Sequence, residues 1–176
     1  KLVADKENVQ AEYEALHLIA EKSEGSLRDS LSIFDRIHAF SGEQKISYEL
    51  VRENLQILDR DIFFKTLDDL VNHDASALFL TVNKVIAQGF DLKIFVNGLA
   101  SHIRDVLLAK HPETIEIMNC SGPLKEKYLE QSSRMNPNFL GHSLKLLTNC
   151  DLKISETSSP RLLVEVTLLD IGELTH

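Results

Sequence analysis

The sequence has few residues of the kinds that interrupt helices or crosslink a chain. Only four of its 176 residues are proline, seven are glycine and two are cysteine. The two cysteines, Cys120 and Cys150, lack the spacing of a metal site and are typical of free thiols in a reducing cytoplasm. No apolar run approaches the roughly 18 residues that a membrane-spanning helix needs, so we expect no membrane partner. The start, KLVADKENVQ, has neither a signal-peptide core nor a Met, which indicates a piece of a longer protein.

Positive charge is also scarce. Nineteen basic residues stand against 27 acidic ones, a formal net charge of −8 at pH 7. Proteins that bind polyphosphates usually carry a basic face, and here no run of Lys and Arg exceeds two residues. We therefore expect no strong nucleic-acid binding by this chain. Its hydrophobic and charged fractions, 43% and 26%, are ordinary for a globular protein.

Motifs for catalysis and for cofactor binding are missing. The sequence contains no GxxxxGK[ST] phosphate loop, no GxGxxG loop, no HExxH zinc motif and no GxSxG nucleophile turn. Its seven histidines are scattered, and no two of them have the i, i+4 spacing of a metal-binding helix face. We predict that the chain is not an enzyme by itself and that it holds no metal ion and no cofactor.

Apolar residues recur at helical spacing through nearly the whole chain, and no alternating strand pattern competes with them. The pattern predicts helices at 12–22, 26–40, within 47–58, and at 59–72, 74–88, 91–107, 124–132, 138–154 and from 160 on. We therefore predict an all-α fold with a boundary between two domains. Residues 1–57 form a unit of three or four helices, and residues 58–176 form a larger bundle of five or six.

One short stretch, EGSLRDSLSIFDRI at residues 24–37, places a cation where helices disfavour one. Gly25 is typical of a helix stop, and Ser26 is the expected N-cap of the next helix, with Asp29 at the capping-box spacing. Arg28 falls in the first turn, where the helix dipole favours acidic side chains. It is either a surface residue paired with a neighbouring carboxylate, or part of an anion site for a phosphate supplied from outside the domain.

This stretch closely resembles the sensor-2 segment of bacterial clamp-loader ATPases, the DNA polymerase III gamma/tau family. The family pattern there is Gly-Ser-x-Arg-Asp-Ala-Leu-Ser, then apolar residues and Asp, and Ser30 replaces the usual Ala. The matching positions are Gly25, Ser26, Arg28, Asp29, Leu31, Ser32 and Asp35. The preceding ALHLIAEKSEG is similar to the family's Ala-Leu-x-x-Ile-Ala-x-x-Ala-x-Gly.

Later stretches extend the resemblance to nearly the whole chain. GFDLKIFVNGLASHIRDVLLAK is similar to the collar-domain pattern with Gly-x-Asp, Phe, Leu and Arg-Asp-Leu-Leu. SPRLLVEVTLLDI resembles the family's last helix, Pro-Arg-Leu-Leu-Leu-Glu. The match is weakest in residues 111–135.

The resemblance implies a small AAA+ lid followed by a helical collar. In this family ATP binds between a RecA-like domain and the lid, and a third, helical domain joins five subunits. Residues 1–57 would be the lid and residues 58–176 the collar, or oligomerisation, domain. Arg28, with Ser26 and Gly25, would sense the terminal phosphates of the nucleotide. ATP and Mg²⁺ would be cofactors of the full-length protein, not of this chain alone.

The resemblance also implies partners and a place in the cell. The full-length protein would be an ATPase subunit of the DNA polymerase III holoenzyme, a nucleotidyltransferase complex at the replisome in the bacterial cytoplasm. Its partners would be the other clamp-loader subunits, namely gamma/tau, delta and delta-prime. The sliding clamp and primed DNA would be reached through domains outside this chain.

The last helix is apolar over most of its circumference, so it needs cover on more than one side. Its own bundle can supply one side, and a neighbouring subunit of a ring can supply another. The candidate oligomerisation residues are Leu163, Val164, Leu168 and Ile171.

Two alternatives remain open at this level. The chain could be the lid and oligomerisation part of another AAA+ ATPase, such as a recombination-factor ATPase, although the Gly-Ser-x-Arg-Asp-x-Leu-Ser string argues against this. It could also be an unrelated helical adaptor or a helix-turn-helix module that binds DNA through EGSLRDSLSIF. The net charge of −8 and the absence of clustered Arg and Lys argue against that interpretation.

Overall fold

The computed structural model describes residues 2–23, 25–42, 44–55, 57–118, 120 and 122–174. The chain divides into two units, Lys1–Ile57 and Leu58–His176. The described residues form eleven α-helices and no strand, apart from one isolated parallel bridge between Ala11 and Ile46. The predicted all-α fold is therefore confirmed.

The first unit contains four helices among the described residues: α1 Leu2–Lys6, α2 Tyr13–Lys22, α3 Leu27–Ser41 and α4 Tyr48–Asn54. The described part of the second unit contains seven: α5 Arg60–Val71, α6 Ala75–Ala87, α7 Leu92–Leu108, α8 Pro112–Ile115, α9 Gly122–Arg134, α10 Pro137–Ile154 and α11 Pro160–Glu173. The count exceeds the expected five or six because α8, only four residues long, has no room for an apolar period.

The core of the first unit lies between α2, α3 and α4, and it includes the buried side chains of Ile19, Phe34 and Val51. In the sequence, helical spacing predicts an apolar face of α3 that includes Leu27 and His38. Both are exposed, and Leu27 keeps 73% of its surface. Leu27 begins the helix, whereas the buried part of α3 starts further along at Phe34. Those two expectations were therefore wrong.

A set of polar contacts holds the start of α2 to the start of α4. The Ile46 N–H donates to the Gln10 oxygen at 2.8 Å, and the Glu12 N–H donates to the Ile46 oxygen at 3.0 Å. The Glu12 carboxylate accepts from the Tyr48 N–H and from Lys45 Nζ, each at 3.0 Å. Those two hydrogen bonds, the backbone one first, lower the pKa of Glu12. Glu12 thereby fixes the entry to α2, the helix that leads to the candidate site.

The second unit is built around α7, which packs against α5, α6, α9, α10 and α11. Phe95, Leu99, Ile103 and Val106 of α7 are fully buried. An interior of this kind is close-packed, so a single added carbon atom changes the stability of the fold.

Gly98 allows α5 to approach α7. A Cβ at Gly98 would lie 2.3 Å from Phe63 Cζ, and Phe63 is itself stacked on Phe95 with ring centroids 6.1 Å apart.

We expect Gly98→Ala to lower the free energy of unfolding by about 1–3 kcal/mol through overpacking. Gly141→Ala is the matched control, because an added Cβ on α10 meets nothing within 4 Å. It should raise that free energy by up to about 1 kcal/mol. Equal effects of the two variants in urea unfolding would contradict this packing.

A buried polar network joins α5, α7 and α9. His102 is 3% exposed, with Nε2 2.8 Å from Gln131 Oε1 and Nδ1 3.3 Å from the Tyr128 hydroxyl. The Gln131 amide donates to the Phe64 oxygen at 2.8 Å and to the Asp68 carboxylate at 3.0 Å. Because Gln131 Oε1 can only accept, the proton of the neutral imidazole sits on Nε2. Burial lowers the pKa of His102 from 6.5 to about 4.

The lowered pKa of His102 should make the second unit less stable in acid. The unfolded chain takes up this proton near pH 6.5 and the folded chain only near pH 4, so stability is lost as the pH falls between them. The loss is about 3 kcal/mol at 1.36 kcal/mol per pKa unit. Burial raises the pKa of Asp105, which acts in the opposite direction and reduces the slope.

We expect His102→Gln to flatten the dependence of the unfolding free energy on pH between 6.5 and 4. His142→Gln, at an exposed position of α10, should leave that dependence unchanged. Urea unfolding of both variants across this range is the measurement. An unaltered slope in His102→Gln would show that another group is responsible.

Candidate functional site

The turn between α2 and α3 has the stop and cap that the sequence predicts. Gly25 has a φ of +84°, in the left-handed region that glycine adopts without strain. Ser26 is the N-cap of α3: its Oγ accepts from the Asp29 N–H at 3.3 Å. The Ser26 N–H donates back to the Ser23 oxygen at 2.8 Å. The first intrahelical bond of α3 is then Ser30 N–H to Ser26 oxygen, at 3.0 Å.

Arg28 lies in the first turn of α3 with an exposed side chain. Among the described residues, no carboxylate forms an ion pair with its guanidinium. A surface pairing with Asp29 or Asp35 therefore does not occur, and Glu24 lies outside the described residues. The N–H groups of Leu27 and Arg28 precede the first intrahelical bond, so the helix itself offers them no acceptor.

The arrangement suits an anion that arrives from outside this unit. A guanidinium, two N–H groups and the positive end of a fifteen-residue helix dipole are close together in one turn. In the part of the chain that the structure describes, no group of three or more His, Cys, Asp or Glu side chains could hold a metal ion. No helix of that part is both long and apolar enough to cross a membrane.

Sequence reasoning missed a contact across the turn. Ser30, the departure from the family pattern, has its Oγ 2.5 Å from the Oγ of Ser23 at the end of α2. Ser23 is 4% exposed. The two serines are seven positions apart with a glycine turn between them, so neither helical nor strand periodicity links them.

The last helix is covered more completely by its own unit than the sequence suggested. Helix α11 packs against α5, α6, α7 and α10. Three of the four oligomerisation candidates are thereby in the core, namely Val164, Leu168 and Ile171, and Leu163 is half-buried. The apolar side chains that α11 leaves open are Leu162, 60% exposed, and Val166, 44% exposed. A role of the four candidates in assembly stays a prediction.

Two family matches cover the chain in order. Residues 1–43 match the DNA polymerase III clamp loader subunit, ATPase lid domain. Residues 46–175 match the DNA polymerase III subunits gamma and tau, domain III. The chain belongs to the DNA polymerase III gamma/tau family. This match decides against a different AAA+ ATPase and against an unrelated helical module. In this gamma/tau chain the domain III match already begins before α4, whereas the structural boundary follows residue 57.

Relatives that are themselves gamma/tau or tau subunits agree with this assignment. The chain is 25% identical over 175 residues to DNA polymerase III subunit tau of Bacillus subtilis, which covers 99% of the chain and 31% of that protein. It is 34% identical over 97 residues to DNA polymerase III subunit gamma/tau of Mycoplasma genitalium, covering 55% of the chain and 16% of that protein. The chain thus spans a third or less of the length of these two relatives.

The fold itself recurs in the Bacillus subtilis DNA clamp loader delta protein. The TM-score is 0.59 at 14% identity, and the alignment covers 97% of this chain and 53% of that one. An identity this low shows the fold alone.

Proposed function

We propose that this chain is the lid and collar of a gamma/tau subunit, which couples the ATP state to loading of the sliding clamp on primed DNA. One observation carries the proposal: an exposed Arg28 with no ion pair among the described residues, in the first turn of a capped helix, within the part of the chain that matches the clamp-loader lid. A cation in that place gains little from its own helix and much from an added phosphate.

The coupling follows from what Arg28 can and cannot contact. The terminal phosphate of ATP, held by a nucleotide domain of the full-length protein, gives the guanidinium a charge-assisted partner. ADP lacks that phosphate, so the lid loses the contact and its position against the nucleotide domain changes. Gly25 and Ser26 shape the turn that presents Arg28. Mg²⁺ accompanies the nucleotide, and we assign its ligands to the nucleotide domain.

The second unit serves as the collar in this proposal. It has its own core, and it exposes apolar side chains on α11 at Leu162 and Val166. Apolar positions of this kind suit the subunit contacts of a closed ring. The partners are other gamma/tau copies and the delta and delta-prime subunits. The complex works at the replisome in the bacterial cytoplasm, and it reaches clamp and DNA through its other domains.

This chain alone should neither hydrolyse ATP nor bind it tightly, because one arginine and one helix end cannot replace a phosphate-binding loop. Isothermal calorimetry with ATP and Mg²⁺ tests this, and we expect no saturable heat at micromolar ATP. A dissociation constant in the low micromolar range would mean that the chain has a nucleotide site of its own. The proposed division of labour between lid and nucleotide domain would then be wrong.

A further inference from the structure

The hydroxyl groups of Ser23 and Ser30 meet across the turn between α2 and α3, next to the first helical turn that contains Arg28. Ser23 Oγ lies 2.9 Å from both the Ile19 and the Ala20 oxygens, and Ser30 Oγ lies 3.0 Å from the Ser26 oxygen. Each hydroxyl has one proton. One serine therefore donates to a carbonyl of its own segment while the other donates across the turn, over the 2.5 Å between the two oxygens.

This contact is one of two hydrogen bonds that close the turn between α2 and α3 among the described residues. Gly25 has no Cβ and a positive φ, and an added Cβ there would meet nothing within 4 Å. Among the described residues, the other hydrogen bond that closes the turn is Ser26 N–H to Ser23 oxygen. Arg28 lies between Ser26, the cap, and Ser30, the residue tied to α2. Fixing Ser30 against α2 therefore fixes the direction in which the backbone at Arg28 faces.

We propose that the Ser23–Ser30 hydroxyl pair is a positioning device for Arg28, which holds the first turn of α3 in the orientation that meets the terminal phosphate of ATP. The inference rests on the proposed function, and it adds two residues that act through Arg28 rather than on the nucleotide. Both serines stand where the family pattern above has alanine. The doubly substituted Ser23→Ala/Ser30→Ala variant thus replaces a polar pair with a matched apolar one.

The test is the preference of the full-length subunit for a non-hydrolysable ATP analogue over ADP, measured as the ratio of the two dissociation constants. Ser30→Ala should reduce this preference by about two- to tenfold, the effect of one hydrogen bond of ordinary net strength. The affinity for ADP should stay unchanged, because ADP does not reach Arg28. The free-energy loss of this preference in the double variant should be smaller than the sum of the losses in the two single variants.

Ser32→Ala is the matched control. Ser32 Oγ donates to the Arg28 oxygen at 3.0 Å within α3, so this variant also removes a serine back-bond from the same helix. Among the described residues, no hydrogen bond of the Ser32 side chain crosses to the end of α2, so the variant should keep the wild-type preference. In an Arg28→Ala background, Ser30→Ala should have no further effect.

The outcomes separate the two proposals. If Arg28→Ala keeps the preference for the ATP analogue, the proposed function of Arg28 fails. If Arg28→Ala loses it while Ser23→Ala and Ser30→Ala keep it, only the positioning role fails. Equal weakening of ATP analogue and ADP by Ser30→Ala would show a purely structural role and would also overturn the inference.

Discussion

A full-length gamma/tau subunit that lacks residues 58–176 should fail to form a stable pentamer with delta and delta-prime. The domain III match covers residues 46–175, and the deletion removes all of it except the segment that contains α4. In our proposal the deleted unit supplies the collar contacts. Size-exclusion chromatography with light scattering on the reconstituted mixture measures the loss directly. We expect monomers or small subcomplexes at concentrations where the wild-type protein is fully assembled.

The deletion is interpretable because the remaining lid has its own core. Its buried residues, among them Ile19, Ile37 and Val51, form a cluster separate from that of the second unit. The truncated protein should therefore still bind ATP with the affinity of a wild-type monomer, which serves as the control for folding. Assembly of a stable pentamer by the truncated protein would show that the collar lies elsewhere.

Arg28→Ala in the full-length subunit should slow ATP-dependent clamp loading by about 10- to 100-fold. This range corresponds to the loss of one charge-assisted hydrogen bond of about 1.5–3 kcal/mol. Stability should change by less than about 0.5 kcal/mol, because an exposed cation at a helix N-terminus contributes little or even costs stability. Clamp-loading rates and urea unfolding of the same variant measure the two effects.

The matched control for that variant is Arg36→Ala. Arg36 is an exposed arginine two turns further along α3, and its removal changes the charge of the lid by the same amount. It should leave the loading rate within about twofold of wild type, as surface substitutions away from a site generally do. A wild-type rate for Arg28→Ala, or equal losses in both variants, would reduce Arg28 to a general surface charge.

The local signals in the sequence were reliable where a single turn decides the structure. A glycine, a serine and an acidic residue at capping-box spacing predicted the helix stop at Gly25, where φ is +84°, and the cap at Ser26. Helical periodicity likewise predicted the all-α class, because apolar spacing is repeated over many turns. These features depend on neighbours within a few positions, which a single sequence contains.

Features that depend on distant neighbours were not predictable in the same way. Apolarity around most of α11 indicated cover on more than one side, from its own bundle or from a partner subunit as well, and only the structure shows that four helices of its own unit bury Val164, Leu168 and Ile171. Gly98 resembles any glycine inside a helix until Phe63 is placed against it. The Ser23–Ser30 contact requires the geometry of the turn between them. In each case packing, not periodicity, assigns the residue its role.

A cryo-EM structure of the assembled full-length complex with a non-hydrolysable ATP analogue and Mg²⁺ would show whether Arg28 contacts the nucleotide and whether the second unit joins the subunits. We expect the Arg28 guanidinium at about 2.7–3.2 Å from an oxygen of the terminal phosphate, with the turn of Gly25 and Ser26 unchanged. We also expect the residues of the second unit to lie in the ring of contacts between subunits. A guanidinium that faces solvent beside a bound ATP analogue would show that Arg28 does not sense the nucleotide.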